Sequence, residues 1–179
     1  HNDARYVAQS LADADLLATT SFNVAQMWLH VGNPVYALEI YEHALSSAND
    51  AGNVGLVIDC LTKLGQIYQR LQRVDQALRY YTDALARLVE VKDYRREAVI
   101  YAALGELSRT DQKAQISRDG KVLTSNDLFD LSILCYRRIG DVRGEATVLN
   151  MLAKIHFDNK EFEQAVRELN DALEKFIAA

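Results

Sequence analysis

The sequence predicts an all-α protein, an array of four antiparallel helix pairs with an insertion between the two helices of the third pair. Three observations point there. Helix-forming residues are abundant, while 1 Pro and 8 Gly among 179 residues leave few tight turns and little material for sheet. Small residues recur at fixed offsets: Gly65, Ala77 and Ala84 are spaced by 12 and then 7. The same spacing gives Ala25, Ala37 and Ala44 forty residues earlier, and Ala153, Ala165 and Ala172 near the end. Large residues keep phase with them: Leu64, Tyr68 and Tyr81 in the second unit answer to Val24, Trp28 and Tyr41 in the first and to Leu152, His156 and Leu169 in the fourth. Offsets of 3, 4 and 7 fall on one helical face.

The third unit fits once an insertion is allowed. Gly105 stands 40 after Gly65, but Ser125 and Ser132 come into phase only with 8 extra residues, Phe129 then matching Tyr81. Two helices approach closely where one offers Gly, Ala or Ser and a neighbouring ring fills the space beside it. Each unit is therefore a helix A, a turn, a helix B and a linker. The A helices are placed near 14–31, 54–71, 94–109 and 142–158, the B helices near 34–50, 74–91, 123–138 and 161–177. The repeats run about 14–51, 54–91, 94–139 and 142–177 within a single domain, 1–179, and residues 1–12 read as the tail of a preceding B helix.

The punctuation agrees. "GNP" (32–34) and "DNK" (158–160) suit A-to-B turns, and Pro34 suits a first helical turn. In the linkers "AGN", "VKD" and "IGD", Asn53, Asp93 and Asp141 are the expected N-caps. The insertion, about 109–124, contains "ISRDGKVLT", whose alternation around Asp119 and Gly120 signals a hairpin. Its role is open: a partner-contacting loop and a neutral insertion are equally compatible with it.

Composition narrows the function classes. A net charge of −5 argues against a general nucleic-acid binder. No apolar run reaches membrane-spanning length, and "HNDARYV" is not a secretion signal. Cys60 and Cys135 lie far apart with no CxxC and read as buried free thiols of a reducing compartment, so a cytoplasmic location is expected. His30, His43 and His156 are scattered, with no HExxH, no metal-ligand spacing and no phosphate-cradling Gly motif. No catalytic residue, metal or cofactor is expected, and His156 reads as core filler. Of the Tyr residues, 41, 68, 81 and 101 occupy repeat-core positions; Tyr6, Tyr36, Tyr80, Tyr94 and Tyr136 are expected to be partly free.

A Leu-Gly pair and an aromatic in helix A, then Ala, an aromatic and Ala in helix B, resemble the tetratricopeptide-repeat (TPR) pattern over residues 18–177. The 40-residue period is similar to that of the Pins/LGN polarity scaffolds. The resemblance implies a right-handed superhelical solenoid and a protein-interaction module, a scaffold or adaptor, binding a peptide or partner segment in a concave groove lined by the A helices. Those lining positions are Thr19, Phe22, Gln26, Leu29 and His30; Asp59, Thr62, Gln66, Gln69 and Arg70; Val99, Ala102, Glu106, Arg109 and Thr110; and Thr147, Asn150, Lys154, Phe157 and Asp158. Lys63 and Met151 lie beside them. The groove is expected to rest on Phe22, Gln26, Lys63, Gln66, Gln69, Arg70, Glu106, Arg109, Asn150 and Lys154, with Phe22 as its apolar anchor.

Two subtypes do not transfer. The clamp for chaperone C-termini requires residues that Phe22, Gln26, Lys63, Val99 and Ala103 do not supply, and Gln26, Gln66, Glu106 and Lys154 stand where polarity scaffolds carry an Asn ladder. A regulatory sensor array and a solenoid self-assembling through "ARYVAQSL" and "LEKFIAA" remain alternatives.

Overall fold

The computed structural model describes residues 2–111, 114–118 and 120–178. It contains α1 (Asn2–His30), α2 (Pro34–Asp50), α3 (Val54–Arg70), α4 (Val74–Val91), α5 (Tyr94–Thr110), β1 (Ile116–Arg118), β2 (Lys121–Leu123), α6 (Ser125–Arg138), α7 (Val142–Asp158) and α8 (Phe162–Ala178). The eight helices pack as four antiparallel pairs, with the hairpin β1–β2 between α5 and α6. They form two compact units, His1–Val91 and Lys92–Ala179.

In the first unit α1 packs on α2, α2 on α3 and α3 on α4. Its core joins Ala25, Ala37, Tyr41, Leu64 and Ile67. The ring of Tyr81 fills the space left by Gly65, where an added Cβ would lie 2.6 Å from its Cε1. In the second unit α5 packs on α6, α6 on α7 and α7 on α8. There Phe129 takes the place of Tyr81, and a Cβ on Gly105 would meet its ring at 3.0 Å. Ser132 is fully buried and donates to the Ala98 carbonyl oxygen at 2.7 Å, while Ser125 donates to that of Gly105 at 2.8 Å. The phased small residues thus sit in close helix contacts in both units.

The turns repeat as regularly as the helices. A left-handed residue closes the A-to-B turn at Gly32, Gln72 and Lys160, and the B-to-A linker at Gly52, Lys92 and Gly140. In "DNK" the left-handed residue is Lys160, not Asn159. The side chains of Asn53, Asp93 and Asp141 accept from Leu56, Arg96 and Gly144 backbone N–H groups, capping α3, α5 and α7. In the insertion Ile116 pairs with Leu123 and Arg118 with Lys121, and Gly120 has φ +77°; Asp119 lies outside the described residues.

Two expectations need correction. Residues 1–12, expected to be the tail of a preceding helix, belong from residue 2 onward to α1, which runs unbroken from Asn2 to His30, because "AQSLADADLLATT" holds neither Gly nor Pro to interrupt it. His1 lies outside the described residues. Tyr136, expected partly free, is buried, its ring occupying the space beside Gly144.

Candidate functional site

In a helix each residue is turned about 100° from the last. Ala25 and Gly65 are buried in the pair contacts, so the residues that follow them, Gln26 and Gln66, are carried round toward the free side of α1 and α3. There Gln26, Leu29 and His30 of α1, with Lys63, Gln66, Ile67 and Arg70 of α3, line a hollow of about 160 Å³. Leu29 and Ile67 supply its apolar part, and Ile67 is the one lining residue not foreseen, since its position is a core position and it is buried.

The polar groups are two amides, two cations and the His30 imidazole. The Lys63 ammonium donates to Gln66 Oε1 at 3.5 Å, the outer limit for such a bond, so most of its donor capacity stays unused. Amides offer both a donor and an acceptor to extended backbone, and Lys63 and Arg70 provide positive charge for a carboxylate. The arrangement suits recognition. It contains no nucleophile paired with a base.

The other expected residues are placed differently. Gln69 accepts from the Tyr81 hydroxyl at 2.8 Å, tying α3 to α4. Phe22 packs edge-on against Tyr41, ring centroids 5.3 Å apart, and so belongs to the margin of the core. Thr62 and Ala102 are buried, the Thr62 hydroxyl donating to the Ile58 carbonyl oxygen at 2.7 Å. In the second unit Arg109 pairs with Glu106 at 3.1 Å, so that each has a partner of opposite charge, while Asn150 and Lys154 stand exposed on α7. A larger cleft of about 940 Å³ lies in that unit, lined by the hairpin, α6, α7 and α8. None of the ten expected groove residues borders it.

Among the described residues no group of three or more His, Cys, Asp or Glu is arranged to hold a metal ion. Nor is any helix among the described residues long and apolar enough to cross a membrane. His156 is buried and meets Glu161 through Nδ1 at 2.5 Å, a tie across the α7–α8 turn.

Two tetratricopeptide-repeat family models match, over residues 57–91 and 146–174. No curated protein matches the sequence. Among solved structures, BtubC (BKLC) from P. vanneervenii is similar with a TM-score of 0.69 at 16% identity, over 97% of this chain and 74% of that one. TPR-like repeats of a Podospora anserina protein described as a kinesin light chain give 0.51 at 13%, over 88% and 74%. These likenesses concern the fold. Two stretches of the chain thus match tetratricopeptide repeats, which generally mediate protein–protein interaction, in a fold similar to that of kinesin light chain-like arrays.

Proposed function

We propose that this chain is a scaffold or adaptor that takes an extended peptide on the α1–α3 face, an acidic group of the peptide seated between Lys63 and Arg70. The observation that carries the reading is the convergence of Gln26, Lys63, Gln66 and Arg70 on one hollow. Two helices already packed against α2 hold these groups, so the ordering cost falls mainly on the peptide. The 40-residue period, resembling that of polarity scaffolds, supports an adaptor role. An array of extended dodecapeptides differing in charge tests the site. Acidic members should bind, and Lys63→Ala with Arg70→Ala should abolish the preference. Equal binding of acidic and basic peptides, or an unaltered preference in the variant, contradicts the assignment.

Self-association is the second reading, and α8 favours it. Leu169 and Phe176 are 48% and 50% exposed. Tyr41 and Ala48 in α2, and Phe129 and Tyr136 in α6, hold the same repeat positions and are buried. In α2 and α6 a following helix packs on the same B helix; a second copy would cover the α8 face in the same way. Sedimentation at several concentrations tests it: Leu169→Lys should shift the chain toward monomer, and a wild-type chain monomeric throughout rules it out.

A further inference from the structure

The cleft in the second unit has the composition of a docking site, and the insertion helps to build it. Leu149 and Leu152 of α7 form its buried floor, and Leu134 of α6 stands open to solvent on one wall. Leu123 and Lys121 bring the hairpin to the rim. Facing walls carry carboxylates, Asp127 and Asp130 from α6 and Glu168 and Asp171 from α8.

The charges sort into those already matched and those not. Lys121 pairs with Asp127 at 3.2 Å, Arg137 with Glu145 at 2.6 Å, and Lys175 with Asp171 at 3.7 Å, while Arg118, also on the rim, donates to the Tyr101 hydroxyl at 3.2 Å. Asp130 and Glu168 have no ion pair among the described residues. Burial raises the pKa of both. Next to burial, Asp127 raises that of Asp130 and Arg137 opposes it; for Glu168 the nearby His156 and Arg167 oppose the rise, while Asp171 and Asp130 add to it. Two carboxylates without an ion pair, Glu168 half-buried and Asp130 exposed, stand beside an apolar floor and suit a cation carried on an apolar body.

We infer that this cleft docks an amphipathic basic peptide segment, a Lys or Arg seated between Asp130 and Glu168 and its apolar neighbours on Leu134, Leu149 and Leu152. The volume, about 940 Å³, is that of a ligand of several side chains rather than of an ion. The site shares no residue with the α1–α3 hollow and takes the opposite charge. The two surfaces therefore suit two different segments, which is what an adaptor requires. The inference does not depend on the hollow binding anything.

The probe is a labelled twelve-residue Leu/Lys peptide of amphipathic helical pattern, titrated by fluorescence anisotropy against the full chain, with a Leu/Glu peptide of the same pattern as control. Asp130→Asn with Glu168→Gln removes the charge and keeps the shape. Glu39→Gln with Glu42→Gln makes the same change of net charge on exposed α2 positions and reports non-specific attraction. Binding of the Leu/Lys peptide at least tenfold weaker in the cleft variant, unaltered in the α2 variant and in Lys63→Ala with Arg70→Ala, supports the inference. Leu134→Ala should weaken it too. Equal weakening in the cleft and α2 variants, loss of binding on adding Mg²⁺ at constant ionic strength, or equal affinity for both peptides overturns it.

Discussion

Tyr81 closes over Gly65: a Cβ placed on that glycine falls 2.6 Å from the ring's Cε1 and 2.8 Å from Cδ1. The ring is fully buried and its hydroxyl is held by Gln69, so it has no room to retreat. Gly65→Leu should therefore overpack the α3–α4 pair and destabilise the chain by about 1–3 kcal/mol or more. A melting temperature lower by roughly 2–4 °C per kcal/mol is the measurement. Gly105→Ala should cost less, since its Cβ meets the Phe129 ring at 3.0 Å rather than 2.6 Å. An unshifted Gly65→Leu melt would refute the helix register.

Ser132 tests whether the slot wants a small residue or a hydroxyl. Its hydrogen bond to Ala98 is buried, yet Ala44, Ala84 and Ala172 hold the same position elsewhere in the chain and are buried without one. The Ala98 carbonyl stays inside a helix and keeps its backbone environment. Ser132→Ala should thus cost no more than about 1 kcal/mol, the ordinary net worth of one hydrogen bond. Ser132→Val should cost more, by forcing α5 and α6 apart. Urea unfolding of the two variants ranks them; the reverse order would mean that the hydroxyl, not the volume, is what the contact requires.

How far the sequence speaks depends on whether a feature recurs. Gly65, Ala77 and Ala84 are legible because other units repeat them and because one physical demand, close approach of helices, explains all. The contact of Tyr136 with Gly144 is equally tight but does not repeat. The corresponding positions in the first unit are Ala48 and Leu56, a large-for-small exchange that keeps the volume and hides from any search for a conserved spacing. For the site, helical phase alone brought Gln26, Lys63, Gln66 and Arg70 together. It misplaced Phe22, because phase does not say whether a half-inward ring turns to solvent or, as here, onto Tyr41. The cleft of the second unit was missed for another reason: its walls and floor come from α6, α7 and α8 but its rim from the hairpin, the one segment that breaks the period.

Buried acidic groups make the chain sensitive to alkali. Burial, with Asp59 adding to it, pushes the Cys60 thiol from 9.0 up to about 12. Burial, then Glu97, carries Cys135 to about 11 and Tyr101 to about 12. Each group holds its proton more tightly folded than unfolded. Below the unfolded values both states are protonated and nothing is lost; above them the unfolded chain ionises first and is favoured. Stability should stay level to about pH 8.5 and fall progressively between roughly pH 9 and 12. Urea midpoints across that range check it, and a midpoint that holds to about pH 11 would contradict the burial of these groups. In the same way iodoacetamide at about pH 8 should modify neither thiol until the chain is unfolded, since the thiolate is the reactive form.

Glu145 binds three helices of the second unit together. It is buried at the start of α7, where its Oε1 accepts from Arg137 Nε of α6 at 2.6 Å and from Lys175 Nζ of α8 at 3.2 Å. Val57 holds the same repeat position in α3 and is also buried, so an apolar residue fits the place. The two cations are unlike the carboxylate: Arg137 is more than half exposed and Lys175 a quarter exposed, and water can take over both. Glu145→Gln keeps the volume but removes the charge, and should cost about 1.5–3 kcal/mol, the range for hydrogen bonds to a charged group. Glu145→Val with Arg137→Met and Lys175→Met should recover most of that loss, as apolar replacement of a buried ion cluster is often neutral or better. Thermal unfolding of both variants decides it. A triple variant less stable than Glu145→Gln would mean that the ion cluster, not the volume at position 145, holds α6, α7 and α8 in place.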